Sequence, residues 1–124
     1  MIALLAAVVA GGAGGSVARY GLGLLAAKYG KPAHYATLFI NCLGSLLLGL
    51  LAGAALDERH AAWYALAGTG FLGGFTTFST LNAQLVAMLE QRRYRAAFYY
   101  MACTYGIGLP LAAAGYSLAR AYHF

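Results

Sequence analysis

Gly70-Phe71-Leu72-Gly73-Gly74-Phe75-Thr76-Thr77-Phe78-Ser79-Thr80-Leu81 decides how this chain is read. It lies inside an apolar span, yet it holds three glycines and four hydroxyl residues in twelve positions. Adjacent glycines weaken a continuous helix by about 1 kcal/mol each relative to alanine. Backbone that leaves helical geometry at membrane depth must satisfy its freed N–H and C=O groups in protein or along a wet cavity. Broken helices of this kind hold ion and substrate sites in transporters. The plainer alternative is a glycine-rich contact between helices.

The surroundings favour a membrane setting. The chain has 124 residues, 62% of them hydrophobic and only 9% charged, and a mean hydropathy of +0.69. A soluble domain carries about 25% charged residues. The charges cluster between four apolar stretches, about residues 2–27, 36–56, 63–89 and 96–119. These predict one all-α domain, residues 1–124, with four transmembrane helices and no second domain. The first stretch lacks a basic start and is too long for a signal peptide, so it reads as a retained span. The net charge of +5 comes from residues at span ends and does not point to nucleic acid.

Along the spans, small and polar residues recur every fourth position and so share helix faces. In the first span the stripe is Gly11, Gly15, Arg19 and Gly23. Arg19 lies about 12 Å from the Ala27 end, where it either reaches the interface or a neighbouring carbonyl, or serves as a fixed charge favouring an anion. In the second span the stripe is Asn41, Ser45, Gly49 and Gly53. Asn41 either makes an interhelical hydrogen bond or offers its amide N–H groups to an anion. The third span starts near Trp63-Tyr64, and ten residues on, about 15 Å, Gly73 falls near the bilayer midplane. The fourth carries Tyr100, Thr104, Gly108, Ala112 and Tyr116, with Pro110 as a site for a kink.

Lys28, Lys31, Arg92, Arg93 and Arg95 lie in the odd connections, against Arg59 and Arg120 on the other side. That bias places the odd connections in the cytoplasm. No carboxylate lies within a span, since Asp57, Glu58 and Glu90 are all in connections. A proton-coupled cation or multidrug antiporter needs one, so that alternative is weak. His34, His60 and His123 are far along the chain from Cys42 and Cys103, and no carboxylate pair exists for acid–base work. The chain is not read as an enzyme, and the cysteines read as small buried apolar residues. A structural or assembly subunit, with its stripes used only for packing, remains the other alternative.

Gly11-Gly12-Ala13-Gly14-Gly15 followed by Arg19-Tyr20, then Thr37-Leu38 with Asn41 and Gly44-Ser45, then Gly73-Gly74-Phe75-Thr76-Thr77-Phe78-Ser79-Thr80, strongly resemble the CrcB/Fluc fluoride channels. The resemblance covers the whole chain in length, span count and motif order. It implies a passive fluoride channel of the cell membrane that limits fluoride toxicity. It also implies an antiparallel, dual-topology homodimer with two pores and a central sodium ion. On this resemblance Asn41, Thr37 and Phe78 line the pore, with Ser79 in the hydroxyl run beside Phe78, and Tyr100 and Thr104 supply the polar track of the fourth span. Sodium is held by backbone carbonyls placed at Gly73 and Thr76, and Arg19 matches the family's first-span arginine. Leu81 stands where the family has a second pore phenylalanine, which removes one aromatic edge from each pore.

Overall fold

In the computed structural model, residues 1–54 and 61–122 are described. The charged turn 57–60, the end of the second predicted span and His123 lie outside the described residues. Among the described residues every regular element is helical. They are α1 (Ile2–Lys28), α2 (Ala33–Gly53), α3 (Ala61–Tyr64), a π-helical stretch π1 (Ala65–Leu72), α4 (Gly73–Phe75), α5 (Phe78–Glu90) and α6 (Tyr94–Ala121). Both α1 and α2 are long and apolar enough to cross a membrane. The 28-residue α6 runs unbroken through Pro110.

The third stretch is broken, but not at its glycines. Gly73 has ordinary helical dihedrals (φ −62°, ψ −38°). The chain leaves the helix at Thr76 (φ −79°, ψ 157°) and stays extended at Thr77 (φ −150°, ψ 119°). The expected break at Gly73-Gly74 is therefore displaced toward the C-terminus. The reason is packing: a Cβ at Gly74 would overlap the carbonyl oxygen of Gly12. A glycine here serves close approach rather than backbone freedom.

Gly11 and Gly15 do the same for α1. A Cβ at Gly11 would overlap Leu66 O, and one at Gly15 would overlap Phe71 O. The π-helix is the wide i→i+5 form. At its end the N–H of Gly73 reaches Gly68 O and Gly70 O. Gly11, Gly15 and Arg19 of the stripe read on the first span thus form the seam between α1 and the run from π1 to α4, whereas a Cβ at Gly23 would meet nothing within 4 Å.

The stripes of the second and fourth spans are likewise mates. A Cβ on Gly108 would touch Ser45 Oγ at 3.5 Å, one on Gly49 would overlap Ala112 O, and one on Gly53 would lie 2.5 Å from Tyr116 O. The pairs 45 with 108, 49 with 112 and 53 with 116 ascend together, so α2 and α6 run parallel. This is the most extensive helix pairing among the described residues.

Two small cores flank the break. Before it, Ile40, Leu72 and Phe75 pack with Leu22, Leu43 and Leu47. After it, Leu81, Leu85, Met88, Ala97 and Tyr100 pack with Leu38. Large apolar side chains such as Val9, Val17, Phe39, Phe98, Ile107 and Leu109 face outward, as membrane helices require.

Gly15→Ala and Gly74→Ala force backbone apart and are expected to lower the thermal midpoint of the detergent-solubilised protein by about 5 °C or more. A Cβ added at Gly21 would meet nothing within 4 Å, so that position should accept alanine without loss. Equal effects at all three positions would contradict the seam.

Candidate functional site

The site is built at Thr76-Thr77, where the chain has no helix to satisfy it. Asn41, half-buried on α2, supplies what is missing. Its Nδ2 donates to Thr77 O at 3.0 Å, and its Oδ1 accepts the Thr77 N–H at 2.9 Å. One amide side chain thus pairs with both backbone groups of one residue, as a strand neighbour would. Thr77 then caps α5, its Oγ1 accepting the Thr80 N–H at 3.2 Å and donating to Thr80 Oγ1 at 3.0 Å. This is an N-cap ahead of an apolar run.

On the other side of the break, Thr76 makes the last helical bond, N–H to Leu72 O at 2.9 Å. Its Oγ1 donates to the same oxygen at 2.8 Å, and its methyl lies where a Cβ on Gly44 would be. Arg19, part-buried on α1, donates Nε–H to Gly74 O at 3.1 Å. The deep arginine is therefore a carbonyl cap at the break, and it brings a fixed charge there.

These bonds draw the helical donors of Gly73 O and Thr76 O elsewhere. In a continuing helix Gly73 O would take the Thr77 N–H, which goes to Asn41. Thr76 O would take the Thr80 N–H, which goes to Thr77 Oγ1. Gly73 and Thr76 are the carbonyls that the family resemblance assigns to sodium. A hard cation takes such neutral oxygens, so the donor set fits it in kind.

Beside the break lies a groove of about 480 Å³, whose wall includes Asn41, Ser45, Thr76, Phe78, Leu81 and Thr104. Gly73 also borders it. Phe78 is 66% exposed, while Leu81 is only 2% exposed. Leu81 closes the groove wall with one side and packs with Leu85 and Met88 on the other. Thr37 and Tyr100 are buried away from the groove, and Ser79 is exposed, with its Oγ 3.4 Å from Thr77 Oγ1.

Most hydroxyl hydrogens here point back along their own helices. Thr104 donates to Tyr100 O at 2.7 Å, Ser45 to Asn41 O at 2.8 Å, and Thr37 to Ala33 O at 3.4 Å. Asn41 uses one of its two amide hydrogens on Thr77, which leaves the second for a ligand in the groove. Tyr100 Oη donates to Gln84 Oε1 at 2.6 Å. Gln84, which the motifs do not reveal, is thereby tied to Tyr100. Its only hint in the sequence is a polar residue three after Leu81 on an apolar helix face.

The family model described as "CrcB-like protein, Camphor Resistance (CrcB)" matches residues 6–116. This chain belongs to the CrcB family. It is 43% identical to the "Fluoride-specific ion channel FluC 1" of Geobacillus kaustophilus over 113 residues, which is 91% of this chain and 95% of the relative. It is 43% identical to the "Fluoride-specific ion channel FluC" of Phenylobacterium zucineum over 117 residues, 91% of this chain and 92% of the relative. The Listeria monocytogenes "Fluoride-specific ion channel FluC 1" is 41% identical over 109 residues, 87% and 90% of the two chains.

Asn41→Leu keeps the size but leaves the Thr77 N–H and C=O unpaired. It is expected to destabilise the protein by about 2–4 kcal/mol, against about 0.5 or less for Ser79→Ala. Unfolding in mixed micelles measures both, and equal losses would contradict the pinning role.

Proposed function

We propose that this CrcB-family chain is a passive, fluoride-selective channel of the cell inner membrane that lets fluoride leave the cell and so limits its toxicity. The observation that carries the reading is the pinned break: it sets an amide hydrogen of Asn41 and the ring of Phe78 on one groove, in a chain whose relatives bear the name of fluoride-specific channels. Fluoride is small and strongly hydrated, so a pore must replace its water with donors and weakly positive edges. An aromatic edge carries positive quadrupole and suits that task. Among the described residues Glu90, the last residue of α5, is the one side-chain carboxylate, which disfavours a proton-coupled antiporter. It equally disfavours an enzyme working by acid–base chemistry.

In this reading four helical spans cross the bilayer, the third being the run from α3 to α5. Two copies pair antiparallel, in dual topology, as a homodimer. A 480 Å³ groove is far wider than a bare monatomic ion, so its second wall comes from the partner copy. Asn41, Phe78, Leu81 and Ser79 line the conduction path, and Tyr100, Thr104 and Thr37 continue it along α2 and α6. A two-fold axis doubles the freed Gly73 and Thr76 carbonyls to four, which is enough to hold a sodium ion. Sodium there offsets the repulsion an anion meets in low dielectric. Arg19 holds the carbonyl beside that site.

Liposomes containing the purified protein should release fluoride quickly, read with a fluoride electrode, and retain chloride. Phe78→Ile should abolish or greatly slow that release while leaving the dimer intact; wild-type flux in this variant would remove Phe78 from the path. The dimer should also melt at a higher temperature in sodium gluconate than in N-methylglucamine gluconate. Identical melting in the two salts would argue against the sodium site.

A further inference from the structure

The polar positions do not stop at Tyr100. On α2, His34, Thr37 and Asn41 stand at spacings of three and four, so they share one face. His34 is seven residues from Asn41, about 10 Å along the helix. On α6, Tyr100 and Thr104 are one turn apart on the face that meets α2. The structure joins these two faces at their outer end. The His34 and Tyr100 rings lie 5.2 Å apart between centroids, tilted by 53°, and Tyr100 in turn holds Gln84 of α5. His34 is half-buried, in the first turn of α2. A polar ladder therefore runs from the break, through Thr104 and then Thr37 with Tyr100 and Gln84, to His34 at the end of α2.

The groups facing His34 are few. On its own helix, Tyr35 meets it edge-on with centroids 4.9 Å apart. From α6 it faces the Tyr100 ring. From the connection between α5 and α6, Arg93 exerts a positive field on it. The same connection carries Arg92, while Glu90 ends α5 and Arg95 lies in the first turn of α6. Its neighbours among the described residues are rings and a cation, so a proton gained there adds an uncompensated positive charge.

We propose that His34 is a pH-sensitive residue at the mouth of the anion path, whose protonation raises the rate at which fluoride is admitted. The proposal rests on the channel reading above and adds a residue and a regulation that reading does not contain. Histidine is the side chain whose charge changes between pH 5 and 8; burial first, and the field of Arg93 second, lower the His34 value from the ordinary one, so its charge appears toward the acid end of that range. A unit charge at a water-facing mouth, several ångströms from the ion, changes the local anion concentration about twofold. The neutral ring lies tilted against Tyr100 and leaves that attraction switched off.

Planar-bilayer currents at low fluoride, with the same pH on both sides, test this; neutral hydrogen fluoride carries no current and does not interfere. Between pH 7.5 and 5.5 the wild-type current should rise about twofold. His34→Gln and His34→Arg, one never charged and the other always, should each give a ratio near one. A wild-type ratio of one, or an undiminished rise in His34→Gln, would overturn the proposal. A second measurement uses the unmodified protein: ¹³C-labelled histidine is titrated by NMR in fluoride and in gluconate at equal ionic strength. By reciprocity, fluoride at the mouth should raise the His34 midpoint by about 0.3 units or more. An unmoved midpoint sinks the proposal even if the channel conducts. A protein that passes no current overturns the channel reading, and the titration then decides separately whether fluoride meets His34.

Discussion

Two hydrogen bonds between Asn41 and the backbone of Thr77 hold this protein's central irregularity in place. An extended pair of residues within an apolar helix leaves N–H and C=O groups that lipid cannot satisfy. Asn41 answers both groups at Thr77, the Thr77 side chain answers the Thr80 N–H, and Arg19 answers Gly74 O. Once the donors are redirected in this way, the carbonyls of Gly73 and Thr76 are free of the helix. The same redirection that makes the break tolerable therefore frees the two carbonyls that the proposed sodium site would use. It also turns Phe78, the first residue of α5, onto the groove.

The rest of the fold serves to carry these groups to one place. Asn41 is on α2, Arg19 on α1 and Thr77 at the head of α5, so three helices must be held at fixed distance. Glycine does this at both seams. Gly11, Gly15 and Gly74 let α1 lie backbone to backbone on the run from π1 to α4. Gly49, Gly53 and Gly115 do so for α2 and α6. Close approach of this kind relies on dispersion and weak C–H contacts, the forces left when lipid removes the hydrophobic drive between helices. The two small cores beside the break are correspondingly slight.

Much of this is legible in the sequence, and the part that is not has a physical cause. Stripes at every fourth residue mark the faces that pack, because helical period is local information. That the second and fourth spans' stripes meet each other, in parallel, emerges only from the fold. A break in the third span is expected from Gly73-Gly74, but it stands at Thr76-Thr77. Propensity assigns the glycines to flexibility, whereas Gly74 is there to admit Gly12. What permits the break is a side chain 36 residues away, and no local pattern reveals such a partner. For Arg19 the sequence leaves open an interfacial, a capping and an anion-attracting role; the structure makes it a cap on Gly74 O. Gln84 is hard to single out because a lone glutamine on an amphipathic helix has no spacing signature, and its meaning depends on Tyr100.

The direct test of fluoride as the permeant ion is the reversal potential of the purified protein in a planar bilayer, with sodium fluoride on one side and equal sodium chloride on the other. A hundredfold preference for fluoride corresponds to about 120 mV. A reversal potential at or beyond that value, of the sign that fluoride sets, is expected. A current that reverses near zero, or no current from the folded protein, would contradict a fluoride path along the groove beside Asn41 and Phe78.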